Sequence, residues 1–104
     1  MSKAAINAPS HLKADTRAWY AQVCECYVLD PHHLRLLALC CEAWDRSQEA
    51  RERLATDGSY FNDRFGQTRP HPAINVERES ARTFARLLRE LCLDEGAGTP
   101  GLKV

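Results

Sequence analysis

The spacing of hydrophobic and polar positions predicts three helices, of which the second is the longest. Its pattern runs from Asp30 to Gly58. Asp30 can accept hydrogen bonds from the first free backbone N–H groups, Pro31 suits the first helical position, and Gly58 is typical of a helix end. The residues between these signals predict about 26 helical residues, on the order of 39 Å in length.

This long helix carries two apolar sides. At about 100° per residue, one side holds Leu34, Leu37, Ala38, Cys41, Trp44 and Gln48, and the nearly opposite side holds Leu36, Leu39, Cys40, Ala43, Ala50 and Leu54. Because both sides favour burial in a short chain, we expect one to pack within the chain and the other against a neighbouring subunit. The pattern does not decide which is which. We assign the predicted oligomer interface to Leu36, Leu39, Cys40, Ala43 and Leu54.

A shorter helix is predicted ahead of the long one, from about Lys13 to Tyr27. Its aromatic and aliphatic residues share one arc, which favours core packing. The connection Val28 to Asp30 is short enough to predict a tight helical hairpin. Residues 1–11 lack periodicity and predict a mobile arm.

The segment after Gly58 predicts a small β-hairpin or an ordered loop over Ser59 to Arg69. A last helix should begin near Pro72 or Ala73 and end at Leu91 to Asp94, and residues 95–104 predict a mobile tail. The apolar residues of this helix lie on one face, which contains Ile74, Ala81, Phe84, Ala85, Leu88 and Leu91.

The elements together predict one mainly all-α domain over residues 1–104, with a helical hairpin around the long central helix. The 104 residues carry 14 Lys and Arg against 14 Asp and Glu, so any attraction to nucleic acid must come from local patches. No run of about 18 apolar residues and no secretory pattern is present, so we expect a soluble, intracellular protein without membrane contact.

Five cysteines, an odd number within helical patterns, favour reduced and partly buried thiols. Cys24 and Cys26, or Cys40 and Cys41, diverge too far on a regular helix to chelate one ion. We therefore predict no metal site and no cofactor. His32 and His33 should cap the long helix or face solvent.

Catalytic motifs are absent from the sequence, which has no Gly-rich phosphate loop, no G-x-S-x-G and no H-E-x-x-H. We predict a non-enzyme without catalytic residues. A catalytic Cys–His dyad stays an alternative, because five Cys and four His offer many possible pairs.

Four arginines on the last helix form the main polar feature. Arg78, Arg82, Arg86 and Arg89 fall within about 80° of one another and flank the apolar face. They could bind phosphate, pair with acidic groups of a neighbouring subunit, or form a solvated face with Glu79 and Glu90.

The order of elements resembles the small terminase subunits of tailed double-stranded-DNA phages. The matching features, over about residues 9 to 94, are Pro9 and Leu12 before Trp19, Asp30 opening and Gly58 closing the long helix, Gly66 in the turn, His71-Pro72, and a leucine-bracketed helix end. Members commonly end with Leu-Gly-Leu and a Pro/Arg segment, whereas here Leu91-Cys92-Leu93 leads into Asp94-Glu95.

The resemblance implies a ring-forming component of the genome-packaging motor, acting in the cytoplasm of the bacterial host. Such a protein recognises viral double-stranded DNA at the packaging start and hands it to the large terminase subunit, which holds the ATPase and nuclease. We assign the predicted DNA-binding residues to Lys13, Arg17, Arg78, Arg82, Arg86 and Arg89. The alternative is a helical adaptor that binds another protein through its second apolar face.

Overall fold

Three helices and one two-stranded sheet make up the computed structural model, which describes residues 8–91. In chain order they are α1 (Ala14–Cys26), α2 (Pro31–Asp57), β1 (Tyr60–Asn62), β2 (Thr68–Pro70) and α3 (Ala73–Leu91). The mainly all-α prediction and the order of elements are confirmed. The predicted tail over residues 95–104 and the first seven residues of the predicted arm lie outside the described residues.

Both ends of α2 follow from local hydrogen bonding. Asp30 and His33 form a reciprocal capping box, in which the Asp30 backbone N–H donates to His33 Nδ1 at 3.3 Å. At the other end Gly58 has a φ of +84° and its N–H donates to the Leu54 carbonyl at 2.8 Å. A left-handed φ is easy for glycine, which explains why the helix ends there.

The segment before α1 is packed, so the predicted boundary of the mobile arm at residue 11 is too late. Ala8 and Leu12 are buried in the main hydrophobic cluster. His11 Nε2 also lies 2.8 Å from a carboxylate oxygen of Glu42 on α2. These contacts attach residues 8–12 to the central helix.

Each apolar side of α2 is partly covered within the chain. Leu37, Cys40 and Cys41 are fully buried. α3 runs antiparallel to α2, with Phe84 beside Cys40 and Glu77 beside Arg51. The expectation that one whole side packs against a neighbouring subunit is therefore wrong for these buried residues, because α1 and α3 approach α2 from different directions.

The predicted interface set divides in two as a result. Cys40 is fully buried and Ala43 is 3% exposed, so in this structure neither side chain is accessible to a neighbour. Leu36 and Leu54 are half-buried, and Leu39 is 51% exposed. For these three leucines the interface stays a prediction.

The face that α3 buries is rotated from the predicted one. Ser80 is buried, whereas Ala81 and Ala85 of the predicted face are exposed. The other predicted residues are buried or half-buried, namely Ile74, Phe84, Leu88 and Leu91. Ala43 of α2 shares a shallow groove with Ser80, and two small side chains allow the helices to approach closely. Hydrophobicity alone misplaced the face because a serine lies at its centre.

The β-hairpin projects with every strand residue exposed. Tyr60 pairs with Pro70, Phe61 with Arg69, and Asn62 with Thr68. The Cα radius of gyration of 17.1 Å exceeds the roughly 13 Å of a compact domain of about 100 residues. The molecule is therefore elongated, with much surface for its size.

Candidate nucleic-acid interface

The four arginines of α3 lie on its outer side. All four are exposed, and at about 100° per residue their mean direction is roughly opposite to the buried Ser80 and Leu91. They therefore point away from α2 and do not flank the buried face. From Arg78 to Arg89 the row extends along the helix axis for about 17 Å at 1.5 Å per residue.

Little in the described chain neutralises this row. Arg78 donates to the side-chain oxygen of Asn75 at 2.7 Å, which leaves its charge in place. Within residues 8–91, Arg82, Arg86 and Arg89 form no ion pair with a carboxylate. No arginine pairs with Glu79 over the same residues, and the alternative of a solvated face with Glu79 and Glu90 as partners stays open. The outer side of α3 is thus a row of available guanidinium groups.

The two predicted cations of α1 differ in availability. Lys13 Nζ lies 3.7 Å from a carboxylate oxygen of Glu52 on α2, with its side chain 41% exposed. Arg17 is exposed and has no carboxylate partner among the described residues. The charge of Lys13 is therefore partly compensated, whereas that of Arg17 is available. Lys13 and Arg17 belong to the start of α1, whereas the arginine row belongs to α3.

Asp45 of α2 fixes the start of α1. Its carboxylate accepts the Lys13 backbone N–H at 2.9 Å and the Thr16 hydroxyl at 2.5 Å, and Asp45 and Thr16 are both buried. Lys13 at the N-cap cannot cap the helix itself. The Asp45 carboxylate instead binds the backbone N–H of the N-cap residue and a hydroxyl of the first turn, and its negative charge suits the positive end of the helix dipole. Sequence periodicity carries no signal for this contact.

A group of possible metal ligands occurs at the start of α2. Asp30, His32 and His33 offer ligand atoms within 4.8 Å of one another. His33 Nδ1 already accepts the Asp30 N–H in the capping box. The predicted capping role is thus confirmed for His33, and His32 is exposed.

Burial makes the central thiols inert. Desolvation raises the pKa of Cys40 to about 11 and that of Cys41 to about 12. The thiolate is the reactive form, so both thiols are protonated and unreactive near pH 7. Cys24 is also buried, whereas Cys26 is exposed.

An apolar groove lies where the three helices meet. Trp19 of α1, Trp44 of α2 and Phe84 of α3 surround it, with ring centroids 5.1 Å apart for Trp44 and Phe84 and 6.2 Å apart for Trp19 and Phe84. Leu88 and Asp15 complete the lining together with Thr16, and the volume is about 380 Å³. Trp44 remains 43% exposed.

The tip of the β-hairpin is organised by Asp63. Its carboxylate accepts the backbone N–H groups of Phe65 at 2.9 Å and Gln67 at 3.0 Å, and Arg69 Nε at 2.7 Å. The Arg69 guanidinium, followed by the backbone donors, lowers the pKa of Asp63. Beside it the Arg64 guanidinium lies 5.0 Å from the centre of the Phe65 ring.

Comparison with known proteins decides the family. The profile described as phage terminase, small subunit, matches residues 12–97. The chain belongs to the phage terminase small-subunit family. No curated protein and no solved structure matches it. The matched span includes every helix and both strands of the structure, and it confirms the family that the order of elements resembled.

Membership of the small-terminase family implies a role in phage DNA packaging. Members generally form the non-catalytic DNA-recognition component, and the family implies interaction with viral DNA and with the large terminase. Among the helices of residues 8–91, none combines the length and the hydropathy that a membrane span requires. The small-terminase resemblance and the arginine row were found from sequence, whereas the apolar groove and the aromatic hairpin tip were missed.

Proposed function

We propose that this small terminase subunit acts in the host cytoplasm as a homo-oligomer, recognises viral double-stranded DNA, and recruits or regulates the large terminase. The observation that carries the DNA-binding part is the arginine row on the outer side of α3. Its guanidinium groups are exposed, and three of them have no carboxylate partner among the described residues. A guanidinium presents donors that match phosphate oxygens.

The arginine row contributes affinity for DNA but little sequence specificity. Exposed arginines gain little from a single contact, so binding by one chain should be weak. An assembly that presents several rows to one DNA raises the effective concentration of each further row. This is why we place DNA binding and oligomerisation in one proposal.

Salt dependence tests the DNA-binding row. Replacing Arg82 and Arg86 by glutamine should weaken binding to viral DNA and make log K fall less steeply with log salt, by about 0.9 for each phosphate that the variant no longer neutralises. The matched control replaces Arg35 and Arg46, two exposed arginines of α2. An equal slope for the wild type and the Arg82/Arg86 variant would refute the assignment.

A second function, a helical adaptor for another protein, is favoured by the exposed aromatic side chains of the hairpin. Phe65 is 73% exposed, and aromatic residues with arginine are enriched at protein interfaces. Co-purification from infected cells separates the two proposals. Recovery of viral DNA or the large terminase supports the first, and recovery of an unrelated protein alone supports the adaptor.

A further inference from the structure

The hairpin tip joins an aromatic ring and a positive charge on one exposed surface. Phe65 is 73% exposed, and the Arg64 guanidinium lies against its ring. The adjacent carboxylate of Asp63 is occupied by Arg69 and by two backbone N–H groups. The positive charge of Arg64 therefore has no carboxylate partner among residues 8–91.

The groove between the helices has the complementary character. Its wall consists of the aromatic rings of Trp19, Trp44 and Phe84 with the side chain of Leu88, and Asp15 lies at the same opening. Asp15 is exposed and has no cationic partner among the described residues. The volume of about 380 Å³ is larger than the cavity of roughly 150 Å³ that holds a benzene ring in a protein core.

The tip does not occupy the groove of its own chain. Phe65 is absent from the groove lining, and α2 continues for thirteen residues from Trp44 to its end at Asp57, which places that end about 20 Å from the groove. A ring this exposed and a groove this apolar both gain from burial. For residues 8–91, that gain therefore requires contact between molecules.

We propose that the hairpin tip of one chain inserts Phe65 into the Trp19–Trp44–Phe84 groove of a second copy, with Arg64 pairing with Asp15 of that copy. The tip and the groove lie on different parts of the chain, so one chain can give its tip to one neighbour and its groove to another, in a head-to-tail contact. A head-to-tail contact generates a ring when its rotation closes. The inference rests on the homo-oligomer in the proposed function and names the surfaces that form it.

The first test is self-association measured by sedimentation velocity on the full chain. Phe65→Asp should raise the dissociation constant by roughly 30-fold, the size expected for an interface hot spot. Because Phe65 is exposed, the helical content by circular dichroism should not change. Val28→Asp is the matched control, since Val28 is a 57% exposed apolar residue far along the chain from the tip.

Charge exchange tests the pairing of Arg64 with Asp15. Arg64→Asp and Asp15→Arg should each weaken self-association roughly tenfold, and the double variant should recover most of the loss. Phe65→Asp chains mixed with Asp15→Arg chains, at a concentration where Asp15→Arg chains alone stay monomeric, should give dimers without higher assemblies. In that mixture only the tip of the Asp15→Arg chain and the groove of the Phe65→Asp chain form an intact contact.

The outcomes separate this inference from the proposed function. If the wild type assembles and Phe65→Asp assembles equally well, the head-to-tail contact is wrong and the homo-oligomer stands on other surfaces. If the wild type stays monomeric at high concentration and on DNA, both the contact and the oligomeric part of the proposed function fail. If another segment of the same chain fills the groove, Phe65→Asp should leave self-association unchanged. Substitutions in the groove should then lower the free energy of unfolding without changing self-association. That result would overturn the inference.

Discussion

The helical body and the β-hairpin use their hydrophobic residues in opposite ways. In the body, Leu37, Cys40 and Cys41 are fully buried between helices, whereas in the hairpin Tyr60, Phe61 and Phe65 remain exposed. The body holds its shape by burying side chains, and the hairpin by polar contacts around Asp63. The apolar residues of the hairpin are therefore available for contact with another molecule and contribute little to the fold.

The largest contrast is expected between a core truncation and a tip truncation. Leu37→Ala removes a fully buried side chain and should lower the free energy of unfolding by about 2–5 kcal/mol. Phe65→Ala, as the matched change at the tip, should alter it by less than about 0.5 kcal/mol. Urea unfolding of the monomer, at a concentration below self-association, measures both. Equal losses would show that the hairpin ring belongs to the core.

A smaller loss is expected at the polar contact that attaches α1. Asp45→Ala leaves the Lys13 N–H and the Thr16 hydroxyl without their acceptor, and should cost about 1–3 kcal/mol of unfolding free energy. Asp45→Asn, which keeps one side-chain oxygen as an acceptor, is the control and should lose less. Hydrogen exchange should quicken first in α1. A lowered free energy of unfolding for Asp45→Ala with unchanged hydrogen exchange in α1 would contradict this role.

The smallest effect concerns pH and is confined to the hairpin. Because the pKa of Asp63 is lowered in the folded protein, its carboxylate stabilises the hairpin above the usual pKa of about 3.9. That stabilisation is lost as the pH falls through the lowered pKa. Amide resonances of Phe65 and Gln67 should therefore shift below about pH 4. Asp63→Asn should remove the pH dependence of these resonances. Unchanged resonances of the wild-type hairpin at low pH would rule out this role of Asp63.

Much of the backbone could be predicted because its signals are local. Asp30-Pro31 and Gly58 mark the ends of α2, and the structure gives Pro31–Asp57. The prolines after Arg69 mark the approach to α3, which begins at Ala73. Each signal depends on hydrogen bonds within a few residues, so sequence alone contains it.

The packing could not be predicted because it depends on residues distant in sequence. Ser80 lies at the centre of the buried face of α3, beside the small Ala43 of α2, and a serine is not hydrophobic enough to mark that face. The same rotation places Arg82 and Arg86 opposite the core and not beside it. Asp45 likewise attaches α1 through contacts 29 and 32 residues away.

The central claim is that the outer side of α3 contacts viral DNA. It is tested most directly by site-specific photocrosslinking, with a photoreactive amino acid placed at position 82 or at position 65 of otherwise unchanged chains. We expect crosslinks to DNA from position 82 and crosslinks to a second copy, near Trp44 or Leu88, from position 65. DNA crosslinks from position 65 with none from position 82 would contradict the claim.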